Sequence, residues 1–266
     1  MNLTEEEFKR IVSYMKRNYG IELEKKRVLV AGRLENYLRQ KGYQNYTEYM
    51  NAVESDITGQ EAIQLVNRLT TNHTYFMREA EHFQFYREVV LPEIKYRERN
   101  TKDVRTWCAA SSSGEEPYTL AMIMLNFFQL ESGWDTTLLA TDISSKVLQA
   151  AVAGRYPEES VRNLPAEWIR RFFTRRGGQY EVKDFLKQQV IFRKFNLMDP
   201  LPFRKKFHVV FLRNVMIYFD EPTKYKLLER IYNQMEPGGY LFIGTTEGID
   251  HSRTRFRYVR ASIYQK

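Results

Sequence analysis

A run of six small residues, Ala109-Ala110-Ser111-Ser112-Ser113-Gly114, follows the apolar stretch VRTWCAA and leads into Glu115 and Glu116. A small-residue turn at the end of a buried strand lets a ligand approach the backbone, and in open α/β sheets ligands bind at such strand ends. The turn is neither G-x-G-x-x-G nor a P-loop, because no G-K-[ST] follows. Two carboxylates repel phosphate and suit a ligand with a positive charge. They are also favourable at a helix N-terminus in their own right, so simple capping is the other reading. The next strand ends in Thr141-Asp142-Ile143. An acidic residue at this distance from the first turn is where such sheets hold a ribose by its hydroxyls, although Asp142 also suits a cap for a helix starting near Ser144. A ribose and a cationic group without phosphate describe S-adenosylmethionine better than NAD. Two further strand ends join the constellation. In LRNVMIYF, Arg213 and Asn214 sit where the strand ends at the crevice, and an Arg-Asn pair in apolar surroundings is costly without partners. Asn196 and Leu197 in FNLMDP are placed to line an adenine site.

Alternating strands and helices must carry these turns. Apolar runs at 104–110, 136–143, 190–197, 208–214, 240–247 and 256–265 read as strands, and 115–128, 144–154 and 221–235 as helices. The last helix is closed by Pro237-Gly238-Gly239. Such alternation predicts a mostly parallel sheet covered on both faces. Residues 155–189 interrupt it with a basic segment containing Gly177-Gly178, read as a small inserted subdomain. Residues 1–70 instead show helical spacing only. Thr4 and Glu7 form a capping box ahead of Phe8, Ile11, Val12, Met15 and Tyr19. A second helix over about 24–41 carries an apolar stripe of Val28, Leu29, Leu34 and Leu38. Shorter helices are expected near 46–54 and 60–69, and helical spacing returns over 80–98. The polar and aromatic stretch between, residues 71–79, reads as a linker to a second domain covering 71–266.

Composition bounds the function. The 266 residues are 43% hydrophobic and 28% charged, which is ordinary for a globular chain and excludes disorder. No apolar run approaches the ~20 residues of a membrane-spanning helix, and the N-terminus lacks a signal-peptide layout. One cysteine, Cys108, excludes an internal disulfide, and scattered histidines predict no metal. A cytoplasmic protein is expected, with monomer as the default. The net charge of +8 is unevenly spread. Residues 106–150 hold 1 basic and 5 acidic side chains, residues 151–266 hold 22 and 12, and residues 9–41 hold 10 and 3. A basic surface attracts acidic partners.

TTNHTYFMRE, AASSSGEEPYTLA, ATDIS, FNL and FLRNVMIYF, in this order, resemble the chemotaxis receptor methyltransferases, the CheR family. The resemblance covers nearly the whole chain. It implies an all-α N-terminal domain followed by a class I S-adenosylmethionine-dependent methyltransferase fold, Rossmann-like, with a small inserted β-subdomain. It implies methyl transfer to glutamate side chains on the cytoplasmic methylation helices of transmembrane chemoreceptors, with S-adenosylhomocysteine as product. Asn72, Thr74 and Arg78 would then close over the cofactor and the reacting carboxylate. Glu116, or Glu115 as the alternative, would hold the cationic methionine end. Asp142 would bind the ribose, Asn196 and Leu197 would flank the adenine, and Arg213 and Asn214 would contact the cofactor near its methionine. Tyr218 would lie near the methyl group, and Arg78 would orient the carboxylate. Lys26, Arg27, Arg33 and Arg39 would dock a glutamate-rich receptor helix. The loop RRGGQYEVKD (175–184) is shorter than in members that bind a receptor tether, so tether binding is not expected.

Two other readings compete. The positive charge suits an RNA or DNA methyltransferase, but the nearest string to a [DN]-P-P-[YF] turn is Asp199-Pro200-Leu201-Pro202-Phe203, broken by Leu201. Cytosine methylation needs a cysteine nucleophile, and Cys108 falls inside the first strand instead. A non-catalytic S-adenosylmethionine-binding module would lack some of the matched residues, and all are present. The expected partner is therefore an acidic protein, without nucleic acid and without membrane insertion.

Overall fold

The structure, a computed structural model, describes residues 1–266. Four helices form the N-terminal part: α1 (Glu5–Tyr19), α2 (Arg27–Lys41), α3 (Tyr46–Ser55) and α4 (Gln60–Leu69). The capping box at Thr4 and Glu7 is formed, and three glutamates fill the first turn of α1, where the helix dipole favours negative charge. These helices enclose their own apolar core, with Phe8, Ile11, Met15, Leu34, Leu38, Tyr46 and Leu65 at its centre. The stripe of α2 differs from expectation. Val28 is 88% exposed, and the buried face is Val30, Leu34, Tyr37 and Leu38. The helix begins at Arg27 rather than near residue 24, and at about 100° per residue Val28 falls on the face opposite buried Val30.

After the linker, α5 (Ala80–Phe85) and α6 (Leu91–Arg97) are joined by a π-helical segment, Tyr86–Val90. The alternating region then runs β1 (Thr106–Ala109), α7 (Glu115–Phe127), β2 (Leu138–Asp142) and α8 (Ser145–Ala153). An insertion follows: β3 (Arg155–Pro157), α9 (Glu158–Val161), α10 (Ala166–Phe172), β4 (Phe173–Arg176), β5 (Gln179–Val182) and α11 (Asp184–Lys187). Its three strands form a separate antiparallel sheet in the order β3-β5-β4. The main sheet resumes with β6 (Val190–Lys194), β7 (Phe207–Leu212), α12 (Glu221–Gln234), β8 (Met235–Ile243), β9 (Arg257–Arg260) and β10 (Ile263–Gln265).

The main sheet has the order β6-β2-β1-β7-β8-β10-β9. Its first five strands are parallel, and β9 and β10 are antiparallel. The period-2 alternation of strands splits its residues between two cores. Cys108, Phe211 and Phe242 face α5 and α7, while Trp107, Leu212 and Leu241 face α12. The chain moves outward from β1 to β2 and β6, then returns to β7 on the other side. This reversal opens a crevice at the carboxyl ends of β1 and β7.

Two strand readings need correction. Pro237-Gly238-Gly239 lies within β8 rather than simply closing a helix, and the strand ends at Ile243, short of Glu247. The run 256–265 is two short antiparallel strands with a reversal between them. Its alternation of aromatic and charged residues concealed the turn, because Ala261-Ser262 carries no Gly, Pro or Asn.

Candidate functional site

A cavity of about 230 Å³ lies at the carboxyl ends of β1, β2, β6 and β7. Asn72, Thr74, Arg78, Glu116, Asp142, Asn196, Leu197, Arg213, Asn214 and Tyr218 all line it. The walls come from the linker, the four strand ends and the helical N-terminal part, which adds Tyr19, Ile21 and Val66. Those last three sit in ordinary core patterns, so nothing in their spacing pointed to a ligand.

The small-residue turn is shaped by its backbone. Ala110 and Ser112 adopt positive φ of 62° and 49°, and Gly114 has φ 98°. A Cβ on Gly114 would stand 2.9 Å from both Ala151 Cβ and Tyr156 Oη, so only glycine fits. Tyr156, from the inserted sheet, donates to Ser113 O at 2.7 Å and braces the turn from behind. Asp142 fixes it from the side by accepting from Ser112 N–H and Ser144 N–H, each at 2.9 Å. Burial pushes the Asp142 carboxyl up, and these N–H groups act against that shift.

Glu115 and Glu116 diverge. Glu115 is buried beside Ser113, which donates to it at 2.7 Å, and is not on the cavity wall. Glu116 reaches the cavity and meets Arg213 Nη1 at 2.6 Å. Cys108 donates to its other oxygen at 3.0 Å. The Arg213 side chain is 1% exposed, lies over the Phe83 ring at 5.1 Å, and pairs on its far side with Glu79 at 3.2 Å. Its Nη2 also donates to Arg78 O, which ties the linker to the end of β7.

Asn214 holds a left-handed conformation, φ 58°. Glu247 makes this possible. It is buried after β8 and accepts N–H groups from Asn214 at 2.9 Å, Gly244 at 2.7 Å and Ile217 at 3.2 Å. Burial raises the Glu247 carboxyl, against those donors. A Cβ on Gly244 would meet Glu247 Oε2 at 2.9 Å and Asn214 N at 3.0 Å. Gly244→Ala is therefore expected to destabilise the fold by about 1–3 kcal/mol, the usual range for forced overpacking, measured by chemical denaturation. An unchanged midpoint would show that this loop yields freely.

Two of the cavity-lining residues are also structural ties. The Tyr218 hydroxyl accepts from Thr71 N at 2.9 Å and donates to Thr71 O at 3.1 Å, holding the linker over the cavity. Asn196 donates to Asn18 O at 2.9 Å and accepts from Met198 N at 3.0 Å, joining α1 to the strand end. Arg78 donates to His73 O at 2.7 Å and remains part exposed. On α2, Arg27 pairs with Glu5 and Arg39 with Glu35, while Arg33 donates to Thr70 O and Thr71 Oγ1 of the linker. Lys26 stands 5.9 Å from the Tyr218 ring centre.

Glu79 and Glu247 were missed by sequence reading. Glu79 ends the linker motif TTNHTYFMRE and Glu247 follows a strand, and neither segment has a periodicity that would mark its carboxylate.

Residues 72–265 match the family model described as "CheR methyltransferase, SAM binding domain", and residues 6–70 match "CheR methyltransferase, all-alpha domain". The chain belongs to the CheR methyltransferase family. It is 39% identical over 272 residues to the chemotaxis protein methyltransferase of Borreliella burgdorferi, covering 100% of this chain and 96% of that one. It is 38% identical to a probable chemotaxis protein methyltransferase of Rhizobium etli, covering 85% and 86%. It is 34% identical to the chemotaxis protein methyltransferase of Escherichia coli, covering 98% and 91%. As a CheR-family chain it is an S-adenosylmethionine-dependent methyltransferase, with the class I fold after an all-α domain. No helix is long and apolar enough to cross a membrane. The cavity suits the family's cofactor. It offers carboxylates rather than a phosphate cradle, and Ser111 Oγ is buried on its wall without a hydrogen-bond partner, a polar atom for a ligand to satisfy.

Proposed function

We propose that this enzyme methylates glutamate carboxylates on the cytoplasmic methylation helices of transmembrane chemoreceptors. The observation that carries the reading is the pairing of opposite charges around one cavity. Arg78 supplies a cation for an incoming carboxylate, beside Glu116 and Asp142 for a cationic, ribose-bearing cofactor. The names of the relatives point to the same substrate class.

Bound S-adenosylmethionine supplies a sulfonium methyl group, which a carboxylate oxygen takes by direct displacement. The chain's residues have little proton chemistry to perform, because a glutamate with an ordinary pKa of about 4.3 is ionised at pH 7. Their work is alignment and exclusion of water, with the reacting atoms held about 3–3.5 Å apart. Glu116 would hold the methionine end, Asp142 the ribose, and Asn196 and Leu197 would flank the adenine. Asn72, Thr74 and Arg78 close the linker over the site. Arg213 and Asn214 shape the methionine end, and Tyr218 bounds the methyl side while its hydroxyl keeps the linker in place.

The experiment is labelled methyl transfer to receptor-containing membranes, followed by mild base. A carboxyl methyl ester releases volatile methanol, whereas N- and C-methyl groups stay put. Base-stable label on RNA would overturn the reading.

Lys26, Arg27, Arg33 and Arg39 are proposed to steer the glutamate-rich receptor helix by charge. Arg27 and Arg39 share their charge with Glu5 and Glu35, so exposed Lys25 and half-buried Lys26 carry much of the steering. KM for receptor is then expected to rise several-fold between about 0.05 and 0.3 M salt, as screening shortens the reach of surface charge. A flat response would remove these cations from docking. The β4–β5 hairpin turns tightly at Gly177-Gly178, and no receptor tether is assigned to it. The protein is taken to act in the cytoplasm as a monomer.

A further inference from the structure

Glu79 sits directly behind the cavity without lining it. Its backbone holds the left-handed conformation, φ 58°, and its side chain is 14% exposed. Oε2 meets Arg213 Nη2 at 3.2 Å and accepts from Thr245 N at 3.1 Å, while Oε1 accepts from Asn214 Nδ2 at 3.3 Å. Arg78 Nε lies 4.0 Å away. One linker carboxylate thus gathers the ends of β7 and β8 and both cavity guanidiniums.

The charges facing this point can be counted. Arg78 and Arg213 stand against Glu79, Glu116 and Asp142, two cations against three carboxylates. His82 Nδ1 is 3.4 Å from Glu79, and burial keeps that imidazole neutral at pH 7, with its pKa pushed down to about 4. Glu247 lies further back, held by backbone N–H groups. Arg213 is flanked by carboxylates on both sides, so its positive charge is cancelled before it reaches the ligand. Without Glu79, the Arg213–Glu116 pair alone would present the methionine end with no net charge.

We infer that Glu79 is a specificity-determining positioning residue: by neutralising Arg213 from behind, it leaves Glu116 negative toward the cavity and favours a cationic sulfonium ligand over its neutral thioether product. The inference rests on the proposed S-adenosylmethionine site. S-adenosylmethionine differs from S-adenosylhomocysteine by one positive charge and one methyl group. Removing a half-buried negative charge behind Arg213 therefore weakens the first more than the second.

The test is calorimetric titration of both ligands into wild type and Glu79→Gln, with no receptor present. Glutamine keeps the shape and an acceptor for Thr245 N–H. The expected result is that the ratio of S-adenosylmethionine to S-adenosylhomocysteine affinity falls about fivefold, the size of one screened charge several ångströms away. Equal weakening of both ligands, or no change, would overturn the inference, because a purely structural role moves both alike. Glu79→Asp, which keeps the charge, should retain the wild-type ratio even if the fold is less stable. A shifted ratio in that variant would also count against the inference. If the wild type binds neither ligand, the cofactor reading itself fails, and that outcome is distinct from an altered ratio.

Discussion

Replacing Arg213 by alanine is expected to lower the unfolding free energy by about 3–5 kcal/mol and to abolish measurable cofactor binding. The side chain is 1% exposed and holds Glu116 at 2.6 Å and Glu79 at 3.2 Å. Its removal leaves two carboxylates facing each other across an apolar floor that includes Phe83. Unpaired buried charge is what makes breaking such a group costly, more than the loss of attraction alone. The variant also frees Arg78 O and loosens the linker. Acid stability supplies a second readout. Burial raises the Glu79 carboxyl, but Arg213's charge and hydrogen bonds from Asn214 and Arg213 outweigh it, so the group sits below its ordinary value. A depressed carboxyl contributes stability above the unfolded pKa of about 4.3 and loses it as pH falls through the folded value. Without Arg213 that depression disappears, so the variant's stability deficit against wild type should shrink as pH falls below about 4.3. Arg213→Lys should recover only part of the loss, since a point charge cannot serve two carboxylates as a planar fork does. An unfolding free energy within about 1 kcal/mol of wild type would show that the two glutamates find other partners.

Much of the site was legible before the structure because its residues follow strand ends. A buried apolar run fixes where a parallel strand stops, and the polar residues just beyond it must fall on one edge of the sheet. Glu116, Asp142, Asn196, Arg213 and Asn214 were placed by that rule together with the motif resemblance. Choosing Glu116 over Glu115 needed more, because both open the same helix and only their rotation about its axis separates them. The structure turns Glu115 toward Ser113 and Glu116 toward Arg213.

What stayed hidden has a common cause. Glu79 and Glu247 act across 135 and 33 residues of sequence, through backbone N–H groups and a guanidinium that no local pattern reveals. Tyr19, Ile21 and Val66 reach the cavity because the helical part packs on the strand ends through Asn18–Asn196 and Glu22–Tyr218 contacts. Val28 leaves the expected stripe because two residues at about 100° each put it opposite Val30, which takes the buried face. Helix starts without a capping side chain, as at Lys26, carry no local signal of where the helix begins.

Arg78→Ala is expected to reduce kcat at saturating receptor by about a hundredfold or more, while the dissociation constant for S-adenosylmethionine changes less than about tenfold. The Arg78 guanidinium donates to His73 O at 2.7 Å, and its own carbonyl accepts from Arg213, so both ends of the residue are fixed to the linker and the β7 end. Arg78 lines the cavity with Glu116 and Asp142, the carboxylates that suit the cofactor, and its Nε lies 4.0 Å from Glu79. Two parallel N–H donors can align a carboxylate so that one oxygen points at the reacting methyl. That alignment replaces a search in solution, which is where a well-oriented site gains most of its rate. The grip must stay moderate, because the attacking oxygen loses negative charge as the bond forms, and a tighter ground-state complex would raise the barrier. Partial exposure of the side chain keeps its hold screened. Arg78→Lys should therefore recover binding of receptor better than turnover, since it restores charge without the fork. Single-turnover measurements separate the chemical step from product release. Unchanged turnover in Arg78→Ala, or a loss confined to cofactor affinity, would remove Arg78 from the reacting carboxylate and leave it as a linker brace.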